Sequence, residues 1–295
     1  MQITPLAAES MGARSMATFV ETLDTRILID PGVWLAEDRV GQAPLAVEKW
    51  TVEKLTRRVQ LYGESARVIV LTHFHPSQME ALRPSAWKNR TLFIKNPNQK
   101  ISADRRKGAF AWMSEVKSEV NALEFVDGRT FTLGHTRLVF SAPVGENLDS
   151  GDAVIQLAIS EPSTTFVYSS EVAGACMPEA FDFIVSHRPQ ILYLDGPITY
   201  RDDGPQSLTL DEKRSVLMRI LKETDLKQLI LDHHLLRDFS WAEKMEPLFK
   251  LAKECDVHIQ TAAEYRGDPL HLLESRRKQL HAETDRHILP YEEPL

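Results

Sequence analysis

Short apolar runs broken by turn residues recur along this chain, and the pattern predicts strands at Gln2–Pro5, 16–21 and 26–30, the last closing on Asp30-Pro31-Gly32. Residues 47–61 place Val47, Trp50, Leu55 and Val59 three to five positions apart among charged neighbours, which predicts a surface helix. The continuous run Val68–Leu71 follows as a buried strand. A further strand is expected at 91–95, then a helix over 102–120 with Ser102 as N-cap and Asp104 in its first turn. The middle is strand-rich: 123–126, 129–133 and 136–141 resemble a meander turning at Asp127-Gly128, continued by 153–159 and Thr164–Tyr168.

Alternation resumes in the last third, with strands Ile191–Leu194, Gln228–Leu231 and 257–260 and helices over 211–223 and 241–254. The charged tail from Glu274 is expected to be a helix with a solvated face, then irregular around Pro290 and Pro294. No repeat, low-complexity tract or linker divides residues 1–295, so one domain is expected. Strands then helices, twice over, point to a mixed α/β (α+β) fold, a four-layer αββα sandwich, which composition alone does not distinguish from other α/β folds and the motifs below do.

Composition narrows the function classes. The 35 Lys and Arg against 42 Asp and Glu give a formal charge of −7, so no global basic surface exists for nucleic acid or anionic membranes. Cys176 and Cys255 lie far apart and form no CxxC pair, which fits a reducing cytoplasm. No apolar run approaches the roughly 20 residues a spanning helix needs.

Polar clusters at strand ends carry the candidate chemistry. His73 and His75, just past Val68–Leu71, lie at i and i+2 and project from one face of extended backbone, so both rings can reach one metal ion. At least one more ligand is required, and ordinary hydrogen-bonded histidines are the competing reading. Asp232-His233-His234 follows Gln228–Leu231. Adjacent histidines on extended backbone face opposite ways, so one is expected at a common site and the other behind it. Glu171, Asp195 and Asp30 end three more apolar runs.

The ordered set Asp30-Pro31-Gly32, Thr72-His73-Phe74-His75, Ser141-Ala142-Pro143-Val144-Gly145, Ser170-Glu171-Val172 and Asp232-His233-His234 resembles the metallo-β-lactamase superfamily over nearly the whole chain. The segments 5–15 and 232–238 resemble, more narrowly, an uncharacterised prokaryotic branch of it. The resemblance implies a two-metal pattern. His73, His75 and Val144 fall on the first metal, Ser77, Gln78 and His233 on the second, and Glu171 on the bridging acid.

Ser77, Gln78 and Val144 are not usual ligands, so the resemblance supports at most one divalent metal, with Zn ahead of Fe or Mn, or none. His73, His75, Glu171 and His233 are the expected ligands. Glu171, Asp195 or His234 would act as base, with Asp30 and Asp232 behind the ligands. Lys95, Arg105, Arg106 and Arg237 would take an anionic small-molecule substrate. The implied activity is hydrolysis of an ester, phosphoester or amide. A non-catalytic member, self-associating or paired with an active homologue, is the alternative, and an iron oxidoreductase is a third reading.

Overall fold

The computed structural model describes residues 1–82, 84–145, 152–201 and 208–285. Its first sheet runs β1 (Gln2–Pro5), β2 (Thr18–Glu21), β3 (Arg26–Ile29), β4 (Val68–Leu71), β5 (Thr91–Ile94), β6 (Ala122–Phe125) in spatial order. The second comprises β7 (Thr130–Leu133), β8 (Thr136–Phe140), β9 (Leu157–Glu161), β10 (Thr164–Tyr168), β11 (Ile191–Leu194), β12 (Gln228–Leu231) and β13 (His258–Gln260), also in spatial order. β3 to β6 are parallel, as are β10 to β13, while the remaining pairs are antiparallel.

Parallel strands covered on both faces need continuous apolar sequence, and β4 is buried at all four residues. In the second sheet, the two-residue period sorts side chains between two cores. Phe166, Tyr168, Tyr193 and Ile230 join the core that includes the first sheet. Val167, Leu192, Leu194, Leu229 and Leu231 pack instead with Phe181, Leu217, Leu221 and Leu248 from the helices Pro178–His187, Leu210–Glu223 and Glu246–Glu254. Leu55, Val59, Ala109 and Trp112, from the helices Ala46–Gly63 and Ala103–Val116, complete the core on the other side. The αββα layering expected from the sequence is the observed architecture.

Several local expectations change. Asp127-Gly128 is not a hairpin, because β6 pairs with β5 in one sheet while β7 pairs with β8 in the other. Two-residue hairpin turns lie instead at Gly134-His135, between β7 and β8, and at Pro162-Ser163, between β9 and β10. Of the strand expected at 153–159, Val154 makes only an isolated bridge with Val144, and β9 starts at Leu157. The helix expected over 241–254 restarts at Glu246, where Pro247 occupies the first turn, a position that needs no backbone N–H.

The helix Pro178–His187 was not anticipated. Its buried Phe181 and Ile184 have the helical spacing, but Phe183 and Val185 blur the period. In the tail, the helix Arg277–Asp285 forms, yet its face is not wholly solvated. Arg277 is fully buried on Glu48, and Glu274 is buried against Arg14. Pro290 and Pro294 lie outside the described residues. Among the described residues, no helix is long and apolar enough to cross a membrane.

Candidate metal centre

The C-terminal ends of β3, β4, β10, β11 and β12 bring Asp30, His73, Glu171, Asp195 and His233 to one rim. Three residues there, Asp30, Ser170 and His233, have φ of 45°, 59° and 51°. Left-handed backbone at non-glycine positions costs on the order of 1 kcal/mol each and clusters at functional sites.

Asp30 forms the floor. Its Oδ1 accepts from the Thr72 backbone (2.8 Å), and its Oδ2 accepts from the Thr72 hydroxyl and from Tyr168 (3.0 Å). Thr72 also meets Ser170 at 2.6 Å, tying the two sheets together below His73. Burial pushes the Asp30 carboxyl above its usual range. Gly32 keeps the following loop tight, since a Cβ there would meet Ser77 Oγ at 2.5 Å and the Gln78 backbone nitrogen at 2.9 Å.

His73 Nε2 lies 3.4 Å from Glu171 Oε1 and 2.8 Å from Gln78 Nε2. A carboxamide can present either end to an imidazole, so this contact suits a neutral or a protonated ring. Burial alone would lower the His73 pKa, but the Glu171 carboxylate outweighs it and the value rises. For Glu171, burial works upward, yet His73 and His233 hold the carboxyl well below the usual range. His75 caps the short helix Pro76–Glu80, accepts from the Ser77 backbone, and stacks on Trp34 with ring centroids 4.5 Å apart. His73, His75, Trp34, Gln78 and Glu171 line a narrow recess of about 10 Å³, the scale of one water.

Both late histidines approach Glu171. The expectation that only one would do so assumed extended backbone, whereas His233 opens a 3-10 turn, His233–Arg237. Glu171, His233 and His234 each offer a ligand atom, all within 4.8 Å of one another. His234 Nδ1 lies 2.9 Å from Asp195 Oδ2, which places the proton on Nδ1 and leaves Nε2 as a lone pair. That Nε2 is buried without a hydrogen-bond partner among the described residues. Burial, then Arg237 and His233, lower the His234 pKa and keep the ring neutral. Asp195 is held in turn by the backbones of Ala173 (2.7 Å) and Gly174 (3.0 Å). Asp232 accepts from the backbones of Ser10, His233 and Ala262, stapling the turn to the N-terminal segment.

His233 Nε2 is 3.4 Å from Glu171 Oε1. Burial and Arg237 act to lower its pKa, but Glu171 and Glu9 raise it to about 9. Glu9 was not among the residues expected here, although it sits in the distinctive segment 5–15. Trp34 carried no sequence signal.

The expected cations are distributed differently. Lys95 is buried on Asp127 (3.1 Å) and the Gln99 carbonyl (2.9 Å). Arg237 is buried beside Glu9 and His233. Arg105 borders the recess, donating to the Phe74 carbonyl between the two histidines (2.6 Å) and pairing with Asp152. Val144 is buried in an apolar core.

Burial and the nearby Asp195 push the Cys176 thiol up to about 12. Alkylation of Cys176 by iodoacetamide at pH 8 is therefore expected to run at least about 100-fold slower in folded than in denatured protein, because the thiolate is scarce. Peptide mass spectrometry over a time course measures this; comparable rates would show that the thiol is accessible and ionised.

No family model matches the chain. A UPF0282 protein of Saccharolobus islandicus is 34% identical over 295 residues, which cover 97% of this chain and 94% of its own length. The UPF0282 protein of Korarchaeum cryptofilum is 34% identical over 287 residues, with 95% and 94% covered. Among solved structures, the metallo-beta-lactamase fold protein YhfI from Bacillus subtilis is similar with a TM-score of 0.53 at 18% identity, covering 88% of this chain and 96% of that one. An isothiocyanate hydrolase from Delia radicum gut bacteria has a TM-score of 0.53 at 14% identity (89% and 97% covered). Zn(2+)-bound PqqB from Methylobacterium extorquens has 0.50 at 7% (92% and 99%). At such identities the structural likeness concerns the fold alone.

Proposed function

The chain belongs to the UPF0282 family and has the metallo-β-lactamase fold, and from that premise we propose that it is a hydrolase dependent on a single metal ion, acting on an ester, phosphoester or amide bond. The observation that carries this reading is His234 itself: Asp195 fixes its Nδ1, its Nε2 is buried without a hydrogen-bond partner among the described residues, and the residue is grouped with Glu171. A histidine whose other nitrogen is fixed by a carboxylate is the form in which imidazole binds metals. Glu171 and His234 would hold the ion, with His73 beside Glu171. This imidazole and carboxylate set suits Zn, Fe or Mn, and Zn is the ion held by PqqB.

When bound, such an ion lowers the pKa of a water towards ~7 and so supplies hydroxide at neutral pH. The other tasks fall to this chain's own side chains. Asp195 sets the His234 tautomer, and Asp30 fixes Thr72 beneath His73. Arg105, 28% exposed at its side chain, is the cation at the rim for an anionic group on the substrate.

Elemental analysis of protein purified without an affinity tag tests the reading: close to one transition metal per chain is expected, and trace metal even after reconstitution would sink it. Asp195→Asn should weaken metal binding by roughly 10- to 100-fold, the usual cost of losing such an outer partner. A competitive chelator titration measures this, and unchanged affinity would mean that Asp195 does not orient His234 for metal.

A second reading has its own observation. Gln78 and Arg237 stand against ring nitrogens of His73 and His233 (2.8 and 3.1 Å), which favours a non-catalytic, partner-binding member. Under that reading, His73→Ala and His75→Ala keep full biological activity.

A further inference from the structure

Beneath His73, five buried side chains share very few protons. Asp30 and Thr72 directly follow β3 and β4 in the first sheet, Tyr168 ends β10 in the second, and Ser170 lies just beyond it. Thr72 Oγ1 touches three polar atoms: Asp30 Oδ2, Ser170 Oγ at 2.6 Å and His73 Nδ1 at 3.1 Å. A hydroxyl has one proton to give and two lone pairs to offer. Which neighbour receives that proton decides the state of the others.

Asp30 also accepts from the Thr72 backbone at Oδ1 (2.8 Å) and from Tyr168 at Oδ2 (3.0 Å). Burial raises its carboxyl, but this convergence of donors calls for an ionised group, which only accepts. The Thr72 proton therefore points at Asp30. Ser170 then donates to one Thr72 lone pair, and His73 Nδ1 must donate to the other. Asp30 Oδ2 itself lies 3.8 Å from Nδ1, too far for a direct hydrogen bond, so the hydroxyl carries the link.

We propose that Asp30, acting through the single proton of Thr72, fixes His73 as the Nδ1–H tautomer and so turns the Nε2 lone pair towards Glu171. Nε2 lies 3.4 Å from Glu171 Oε1, and Gln78 Nε2, at 2.8 Å, is a donor to that lone pair. Asp30 and Thr72 are positioning residues. The inference deepens the single-metal reading and rests on it for its purpose, because a ring held this way presents the nitrogen that binds metal.

Asp30→Asn keeps the shape and turns one acceptor into a donor. The amide N–H then points at Thr72 Oγ1, Thr72 gives its proton to His73 Nδ1, and the ring proton moves to Nε2. A carboxylate-to-amide change inverts a histidine tautomer by this logic. Tyr168 retains the Met16 carbonyl, at 3.1 Å, as acceptor.

Ring proton–nitrogen correlation spectra of full-length, metal-stripped protein carrying isotope-labelled histidine report which nitrogen is protonated. They are taken on the alkaline side of the His73 titration and assigned through His73→Ala. Wild type and Thr72→Ser are expected to show the Nδ1–H form, and Asp30→Asn the Nε2–H form. Thr72→Val, which has no hydroxyl, should also shift to Nε2–H, with Glu171 as acceptor; it carries the comparison should Asp30→Asn fail to fold.

An Nε2–H ring in wild type would overturn the inference. So would an Nδ1–H ring that persists in folded Asp30→Asn or Thr72→Val, since the cluster would then be a structural staple alone. The spectra concern metal-free protein, so trace metal in purified wild type would count against the proposed hydrolase while leaving this test intact.

Discussion

Replacing Glu171 with glutamine is expected to abolish tight metal binding while leaving the fold in place. Glu171 Oε1 lies 3.4 Å from both His73 Nε2 and His233 Nε2, so it is the acceptor on which the cluster converges. Both rings, and the low pKa they impose, keep this carboxyl ionised as a ligand must be. Glutamine keeps the shape and loses the charge. The loss should exceed the roughly 10- to 100-fold typical of an outer partner, and any hydrolytic activity should fall with it. Zinc titration against a chromophoric chelator, with circular dichroism to establish folding, decides the point. Wild-type affinity in folded Glu171→Gln would show that the metal sits elsewhere.

Replacing Arg277 with alanine should cause a large loss of stability, on the order of 3–5 kcal/mol. Arg277 Nε and Nη2 donate to Glu48 at 2.8–3.1 Å, and Nη1 donates to the Gln42 carbonyl at 3.1 Å. Both partners of this ion pair are 1% exposed at the side chain. Glu48 also accepts from the Leu45 backbone at the start of the helix Ala46–Gly63, so the pair anchors that helix to the C-terminal one.

Removing the guanidinium strands a buried carboxylate, whereas replacing both partners with apolar residues (Glu48→Leu, Arg277→Met) should be far less costly. For a chain of this size the single change implies a fall of roughly 10 °C in the thermal midpoint. A drop of less than about 2 °C would mean that the pair contributes little.

These two predictions differ in how far their basis was legible in the chain. Glu171, three residues past Tyr168, stood out only through its place among the other strand ends, whereas Asp30, Asp195 and Asp232 directly follow apolar runs. The Arg277–Glu48 pair joins residues 229 apart, and a charged tail reads as a solvated helix until its partner is known. The same limit hid Glu9, which is 228 residues from Arg237. The late histidines show another kind of limit. Their alternation holds on extended backbone, and the positive φ at His233 cancels it, bringing both rings near Glu171.

By itself, the sequence determined the layers and the candidate chemistry. Apolar runs of strand length, helical periods between them and polar residues at their ends are local properties, and they specify strands, helices and a functional rim. Only the tertiary structure decided which sheet each strand joins, as β6 and β7 show by parting at Asp127-Gly128. It alone also decided which cations stay buried in ion pairs, and that Arg237 rather than open space faces His233. These are long-range pairings, whose burial and electrostatic energies depend on distances that no local pattern encodes.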